Sequence, residues 1–251
     1  NKQGIKGDRR STKIKFQTKT HEKVEVPEVD PAEARRPIKV ATELKGLAGA
    51  HRFQMGNGMR VVLLPVQVFP VISAQLIFDV GDSANPDNPL VADAAARFLA
   101  GPRDSEAIGR AGVSIRCGTT PDHTICGARG MSIYLDVVIK GLERHIKAGE
   151  YKQEGIENWQ KATKLRYKLK RPQQRLEFER QQLVGIYGPE HTYTKTGVLT
   201  PDSVGKIGRD TLTSFKRKHY SAANATLIVA GAFDPKAAES MIRSNFGEWD
   251  K

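Results

Sequence analysis

The sequence predicts an α+β fold in which helices pack on one face of a mixed, mostly antiparallel sheet. Residues 51–251 begin with short segments of alternating apolar and polar residues, the pattern of half-buried strands. Longer segments with apolar residues at helical spacing follow, and the chain closes with one more strand and a helix. The pair Asn57-Gly58 between two apolar runs is a hairpin signal, so the first two strands are expected to be antiparallel.

Strands are predicted on both sides of that hairpin and around a second turn at 120–123, which contains Pro and Asp. A further strand is a purely apolar run near the end of the chain. In chain order, the predicted strands are His51–Met55, Met59–Leu64, Val71–Val80, Val113–Cys117, Thr124–Ala128 and Ala225–Ala230.

Helices are predicted between these strands and after the last one. Pro172 and Pro235 stand at helix starts, where proline is tolerated, and Asp234 is the expected N-cap of the final helix. The segments 81–89 and 188–197 are predicted loops. In chain order, the predicted helices are Leu90–Ala100, Ser105–Arg110, Tyr134–Ile146, Gln153–Lys170, Pro172–Tyr187, Asp210–Tyr220 and Pro235–Phe246.

Residues 1–50 differ in composition from the rest of the chain. They hold twelve Lys and Arg, seven Asp and Glu, three prolines and few large apolar residues. Such a segment has too little apolar surface to fold alone. We therefore predict a basic extended arm or connector over 1–50 and one α+β domain over 51–251.

The chain carries 40 Lys and Arg against 28 Asp and Glu, a net charge of +12. This excess is compatible with nucleic acid, an acidic partner surface or an anionic peptide. Seven of the basic residues lie in 161–175, which contains no acid. Five of them are predicted to share one helical face: Lys161, Lys164, Lys168, Arg171 and Arg175.

That basic face is either the solvated side of an amphipathic helix or a surface that binds acidic peptide or nucleic acid. Tyr167 is the only aromatic residue in the run, so the platform needed for stacking nucleic-acid bases is poor. These residues alone therefore leave the solvated face and the binding surface open, and the scarcity of aromatic residues counts against nucleic acid. No apolar run has the roughly 18–20 residues of a membrane span.

The two cysteines are predicted to oppose each other. If the second hairpin turns between Pro121 and Asp122, opposed residues have numbers that sum to 243, as Cys117 and Cys126 do. We hypothesise a cross-strand disulfide between them, which requires an oxidising compartment. The alternative is a pair of buried thiols in a cytosolic protein.

Catalytic motifs are absent from the sequence. No two of the six histidines lie three to five residues apart, so no helical pair can share a zinc ion. There is also no Gly-x-Ser-x-Gly nucleophile motif and no P-loop.

Several segments together resemble the M16 metallopeptidases, the pitrilysin, insulinase and mitochondrial processing peptidase group. The run 53–62, FQMGNGMRVV, is similar to that family's opening L-x-N-G-L-R-V strand pair, and 70–81 is similar to its next strand. Phe215, His219-Tyr220, Asn224 and 229–231 resemble its F-x-x-x-H-Y-x-x-x-N…V-x-G segment. The closing FGEW at 246–249 also fits, so the resemblance covers about residues 51–251.

The resemblance implies an inverted zinc motif, His-x-x-Glu-His, on the helix that follows the second strand. In this sequence the two ligand positions are Ala92 and Ala96, and the position of the general base is Ala95. The expected site is therefore degenerate, and we predict no catalytic residue, no metal ligand and no cofactor in this chain. The M16 proteins consist of two halves, of which one commonly lacks zinc. The resemblance implies that this chain is one α+β subdomain of that half together with a connector, rather than a whole half.

The resemblance thus predicts a non-catalytic module of an M16 zinc metallopeptidase. It would form a wall of the chamber and bind peptide for a partner half that carries the zinc, in the same polypeptide or in a separate subunit. On this interpretation the basic residues of 161–175 hold acidic segments of the substrate, and no nucleic-acid partner is predicted. The alternatives are a structural subunit like the respiratory core proteins, a basic nucleic-acid-binding module and an intact peptidase. The cysteine pair and the family favour a periplasmic or secreted bacterial location, with a mitochondrial one as the alternative.

Overall fold

The structure is a computed structural model that describes residues 49–85, 87–100, 105–168, 170–195 and 200–250. The predicted arm over 1–50 therefore lies outside the described residues except for its last two positions. Within the described residues, none of the helices is both long and apolar enough to cross a membrane.

The predicted strands and helices occur in the predicted order, and the described part of the chain adds two short strands and two short helices that were not predicted. The strands are β1 His51–Gln54, β2 Arg60–Pro65, β3 Val71–Phe78, β4 Leu99–Ala100, β5 Ser114–Thr119, β6 Thr124–Met131, β7 Glu150–Tyr151 and β8 Ala225–Gly231. The helices are α1 Leu90–Phe98, α2 Ser105–Arg110, α3 Leu135–Lys147, α4 Gln153–Tyr167, α5 Lys170–Tyr187, α6 Thr192–Lys195, α7 Pro201–Gly205, α8 Arg209–His219 and α9 Pro235–Phe246. The added elements are β4, β7, α6 and α7.

Six of the strands form one mixed sheet in the order β1-β2-β8-β3-β6-β5. Only β2 and β8 are parallel, and the other neighbours are antiparallel. The strands β4 and β7 form a separate two-stranded sheet. The predicted α+β class with a mixed, mostly antiparallel sheet is confirmed.

The sheet has one buried face, as the alternation in β3 shows. Ile72, Ala74, Leu76 and Phe78 are at most 2% exposed, and they belong to the core beneath α1 and α3. The intervening side chains point to the opposite face, where they are half-buried or exposed. We call this second face, with the β3 residues Val71, Ser73, Gln75 and Ile77, the open face.

The predicted first hairpin is confirmed and is tied to the end of the chain. Gly58 adopts a φ of 94°, which glycine reaches without steric cost. The side chain of Asn57 is buried, and its Nδ2 donates to the carbonyls of Phe246 at 2.7 Å and Trp249 at 3.1 Å. Two of the segments that carry the family resemblance are therefore hydrogen-bonded to each other.

Three local predictions need correction. The helix that begins at Leu90 ends at Phe98, because residues 99–100 pair with β7 instead. The predicted loop 188–197 contains the short helix α6. The helix that begins at Gln153 ends at Tyr167 rather than Lys170, and α5 begins two residues before Pro172. A proline ring clashes with the carbonyl four residues earlier, here that of Lys168, so one helix cannot run through this point.

Candidate functional site

The three alanines predicted to stand at the zinc-motif positions lie on α1, in the core. Ala92, Ala95 and Ala96 are 1%, 0% and 2% exposed. They are three and four residues apart, so they lie on one face of the helix. The opposite side of α1 is polar and carries an ion pair in which Arg97 Nη2 lies 3.2 Å from Asp93 Oδ2. The amphipathic pattern thus turns the three alanines inward.

The surroundings of these alanines are closely packed. The hydroxyl of Tyr151, the last residue of β7, donates to the carbonyl of Ala95 at 3.1 Å. Burial raises the pKa of Tyr151, so this phenol stays a neutral donor. The helix packs against α8 and the β5–β6 hairpin. A methyl group fits at each of the three positions, and the residues present do not fit a zinc ion because they offer it no ligand atom.

An acidic cluster lies beside α1. Burial, together with the nearby carboxylate of Asp93, raises the pKa of Asp82 to about 6. The Oδ1 atom of Asp82 and the hydroxyl of Tyr220 are buried and have no hydrogen-bond partner in the described part of the chain. Two carboxyl groups do not make a metal site, and among the described residues no three His, Cys, Asp or Glu side chains are grouped to hold a metal ion.

The predicted basic residues of α4 lie on its outward side. Lys161, Lys164 and Lys168 are exposed. On the inward side, Ile156 is buried and Trp159 contacts Phe98 of α1 with ring centroids 5.4 Å apart. The helix is thus fixed to the core by one face and presents lysines on the other.

The break between α4 and α5 divides the predicted basic face. Lys168 caps the end of α4, whereas Arg171 and Arg175 belong to α5, so the five residues do not share one helix. Arg175 is exposed, and its Nε donates to Oε1 of Glu179 at 2.7 Å. The side chain of Arg171 lies outside the described residues. Lys161, Lys164 and Lys168 are therefore the part of the predicted set that one element brings together, and we call them the lysine row.

The cysteine hairpin has the predicted register. Cys117 on β5 directly opposes Cys126 on β6, with Cα atoms 4.0 Å apart, and the two residues form a disulfide. The close Cα approach is that of a non-hydrogen-bonded antiparallel pair, the type of pair that brings side chains nearest. Cys126 is fully buried, and β5 is the edge strand of the sheet. The bond thus fastens an edge strand to its neighbour.

Sequence reasoning missed three features. The first feature is the buried carboxyl group of Asp82. Its burial depends on the packing of the 120–123 turn against Gly81, and these two segments are distant in the sequence. A Cβ at Gly81 would lie 2.2 Å from the Thr120 carbonyl oxygen, so only glycine allows this approach. The second feature is the set of arginines on the open face, whose grouping depends on strand register. The third feature is the helix α7, the one of the three that had a local sequence signal. Thr200 and Ser203 form its capping box.

The fold and part of the sequence match known proteins. The family model of the peptidase M16 inactive domain matches residues 206–251. A sequence comparison with curated proteins gives no match.

Solved structures of similar fold include an M16-like peptidase from Alicyclobacillus acidocaldarius, with 19% identity and a TM-score of 0.67 over 79% of this chain and 49% of that one. The peptidase M16 inactive domain from Pseudomonas fluorescens is 18% identical, with a TM-score of 0.67 over 78% of this chain and 49% of that one. The periplasmic protease PqqL from Escherichia coli is 16% identical, with a TM-score of 0.68 over 80% of this chain and 24% of that one.

The chain thus spans about half the length of the first two structures and about a quarter of the third. At these identities the likeness concerns the fold, and the match to the inactive-domain model adds a sequence signal at the C-terminal end. The predicted resemblance is confirmed: this chain has the fold of the M16 peptidases, and its residues 206–251 match the inactive domain of that family.

Proposed function

We propose that this chain is the non-catalytic module of an M16-type zinc peptidase, which forms part of the wall of the substrate chamber and binds peptide. A partner half, in the same polypeptide or in a separate subunit, carries the zinc and cleaves the peptide. The observation that carries this proposal is the set of buried alanines at 92, 95 and 96 on a helix of M16-type fold. Neither a water-activating base nor a metal ligand is present at these positions.

The lysine row supports the peptide-binding part of the proposal. Its three ammonium groups are held on one side of α4, while the other side of that helix is anchored in the core. An extended acidic segment of a substrate is attracted to such a row at low ionic strength. The predicted contribution of Arg171 and Arg175 comes from the following helix.

We place this module in an oxidising compartment. The disulfide between Cys117 and Cys126 supports that location, because cytosolic thiols are kept reduced. One protein of the same fold, PqqL, is a periplasmic protease. The periplasm of a bacterium is the compartment that fits both observations.

A structural role in a larger assembly is the second candidate, and an exposed apolar patch favours it. Large apolar side chains are exposed on the β2–β3 loop, at the first residue of β3, at the end of β6 and in the turn that follows it: Val66, Val68, Phe69, Val71, Met131 and Ile133. The loop is fixed by a bond from Gln67 Nε2 to the Phe233 carbonyl at 3.1 Å. An exposed apolar patch of this kind is typical of a protein interface. Both candidates require a partner, and only the first requires peptide binding.

Reversing two charges of the lysine row tests the peptide-binding role. We expect the double substitution Lys164→Glu and Lys168→Glu to weaken binding of a fluorescent acidic peptide about tenfold at low salt, since each exposed ion pair contributes up to about 1 kcal/mol. Fluorescence anisotropy with the full chain measures the affinity. The loss of affinity should be smaller at about 0.5 M salt, because salt screens exposed charges.

The matched control is the double substitution Arg217→Glu and Lys218→Glu, which makes the same change in net charge on exposed positions of α8. Affinity that falls equally in both variants would show a non-specific charge effect. Affinity that is unchanged in the Lys164 and Lys168 variant would refute the role of the lysine row.

A further inference from the structure

The open face carries arginines and no carboxylate along its strands. Its outward positions in β1 and β2 include Arg52 and Arg60, and those in β5 and β6 include Arg116 and Arg129. No Asp or Glu occupies an outward position in any of the six strands. Asp79 directly follows the last residue of β3, and its carboxylate pairs with Arg60.

Arg116 and Arg129 lie on neighbouring strands, one register step apart. Arg116 is opposite Gly127, and Arg129 is opposite Ser114. Their side chains therefore start from diagonal positions of the same face, which long side chains can span. Both arginines are exposed, and within the described part of the chain neither forms an ion pair.

Two glycines leave space beside these arginines. Gly127 on β6 and Gly118 on β5 belong to the same face, and Gly118 is opposite Ile125. A Cβ atom built at either glycine would have no heavy atom within 4 Å. The face therefore has open space above the backbone of these two glycines, and Gly127 has Arg116 opposite it and Arg129 two residues along its own strand.

We propose that Arg116 and Arg129 form a carboxylate subsite that binds an Asp or Glu side chain of an extended peptide lying over Gly118 and Gly127. The planar guanidinium group presents paired donors that match the two oxygens of a carboxylate. Because the six strands of the open face carry no Asp or Glu, no side chain of these strands neutralises the two arginines. This inference rests on the proposed peptide-binding function and names the chemistry that the bound segment must carry.

The neighbouring side chains suit a peptide rather than a small free anion. Gln75 on β3 lies opposite Gly127 in the register, so its amide borders this open space. Ile125 and Ile77 are opposite each other in the next row and are half-buried. A carboxylate between the arginines would therefore have an amide group and apolar surface beside it, which can accept the backbone and adjacent side chains of an extended chain.

The experiment compares two labelled peptides of roughly nine residues, both amidated at the C-terminus. Their sequences are identical except for the central residue, which is Glu in one and Gln in the other. We expect the full chain to bind the Glu peptide about tenfold more tightly than the Gln peptide at low salt, because two exposed guanidinium–carboxylate contacts are gained. In the double variant Arg116→Gln and Arg129→Gln this preference should disappear. The double variant Arg217→Gln and Lys218→Gln, with the same loss of charge, should retain it.

Each outcome separates the subsite from the wider function. If the Glu peptide binds the Arg116 and Arg129 variant as tightly as the unsubstituted chain, the subsite is refuted while peptide binding stands. If neither peptide binds the unsubstituted chain, the peptide-binding function fails and the subsite with it. If a Gln peptide with a free C-terminal carboxylate binds as tightly as the amidated Glu peptide, the assignment to a side chain is overturned. A circular dichroism melt of each variant confirms that the exposed substitutions leave the fold intact.

Discussion

Replacing Ala92, Ala95 and Ala96 with His, Glu and His is expected to unfold this chain rather than to create a zinc site. The three methyl groups are almost completely buried, so each larger side chain must displace packed atoms. Overpacking costs about 1–3 kcal/mol per site, and a buried polar group without a partner costs about as much again. The sum for three positions reaches the whole stability of an ordinary domain, about 5–15 kcal/mol.

The single substitution Ala95→Glu measures the effect where the triple variant fails to fold. We expect it to lower the free energy of unfolding by about 3–5 kcal/mol in urea titrations. Its control is Ala162→Glu, the same exchange at an exposed position of α4, with an expected change of about 0.5 kcal/mol or less. A stable triple variant that binds one zinc ion per chain would show that the motif can be rebuilt, contrary to this account.

Removing the disulfide is expected to lower the free energy of unfolding by about 2–3 kcal/mol, since the cross-link restricts the unfolded chain over a short loop. The cysteines are nine residues apart, and the bond fastens the edge strand β5, so local opening of this hairpin should increase most. Hydrogen exchange at β5 and urea unfolding measure the two effects, with the protein oxidised and then reduced by a phosphine.

The double variant Cys117→Ala and Cys126→Ala is the control for the disulfide experiment. Its stability should match that of the reduced protein and should not respond to the phosphine. Two thiols that react with an alkylating reagent in the unreduced protein would remove both the disulfide and the argument for an oxidising compartment.

Most of the fold could be predicted because the decisive signals are local. The turn at Asn57-Gly58 sets the first hairpin, and the Asp234 cap with Pro235 fixes the start of α9, whose observed bounds equal the predicted ones. The Cys117–Cys126 register follows from the position of one short turn. In each case, residues within about ten positions of one another determine the conformation.

The open face could not be predicted, because it depends on strand order. The strand β8 inserts between β2 and β3, although about 150 residues separate it from them in the sequence. The residues around Arg116 and Arg129 do not indicate which strands lie beside them. They also do not indicate that Gly118 and Gly127 leave open space on the same face. The basic stretch 161–175 drew attention because it is contiguous, yet Pro172 divides it between two helices.

The three alanines could be singled out from the sequence, but their packing could not be predicted. The family resemblance identifies the three alanine positions, and only the structure shows that they belong to the core and that Tyr151 bonds to the backbone there. This difference matters for function. The helix serves as a packing element, so the proposed module depends on a partner for catalysis.

The zinc content of the purified 251-residue chain tests the central claim most directly. The chain is incubated with excess zinc, dialysed and measured by mass spectrometry of the metal, with a His-x-x-Glu-His-bearing M16 half treated identically as the positive control. We predict that the chain retains far less than one zinc ion per molecule while still binding the acidic peptide uncleaved. One zinc ion per chain together with cleavage of the peptide would contradict the proposal that this chain is a non-catalytic module.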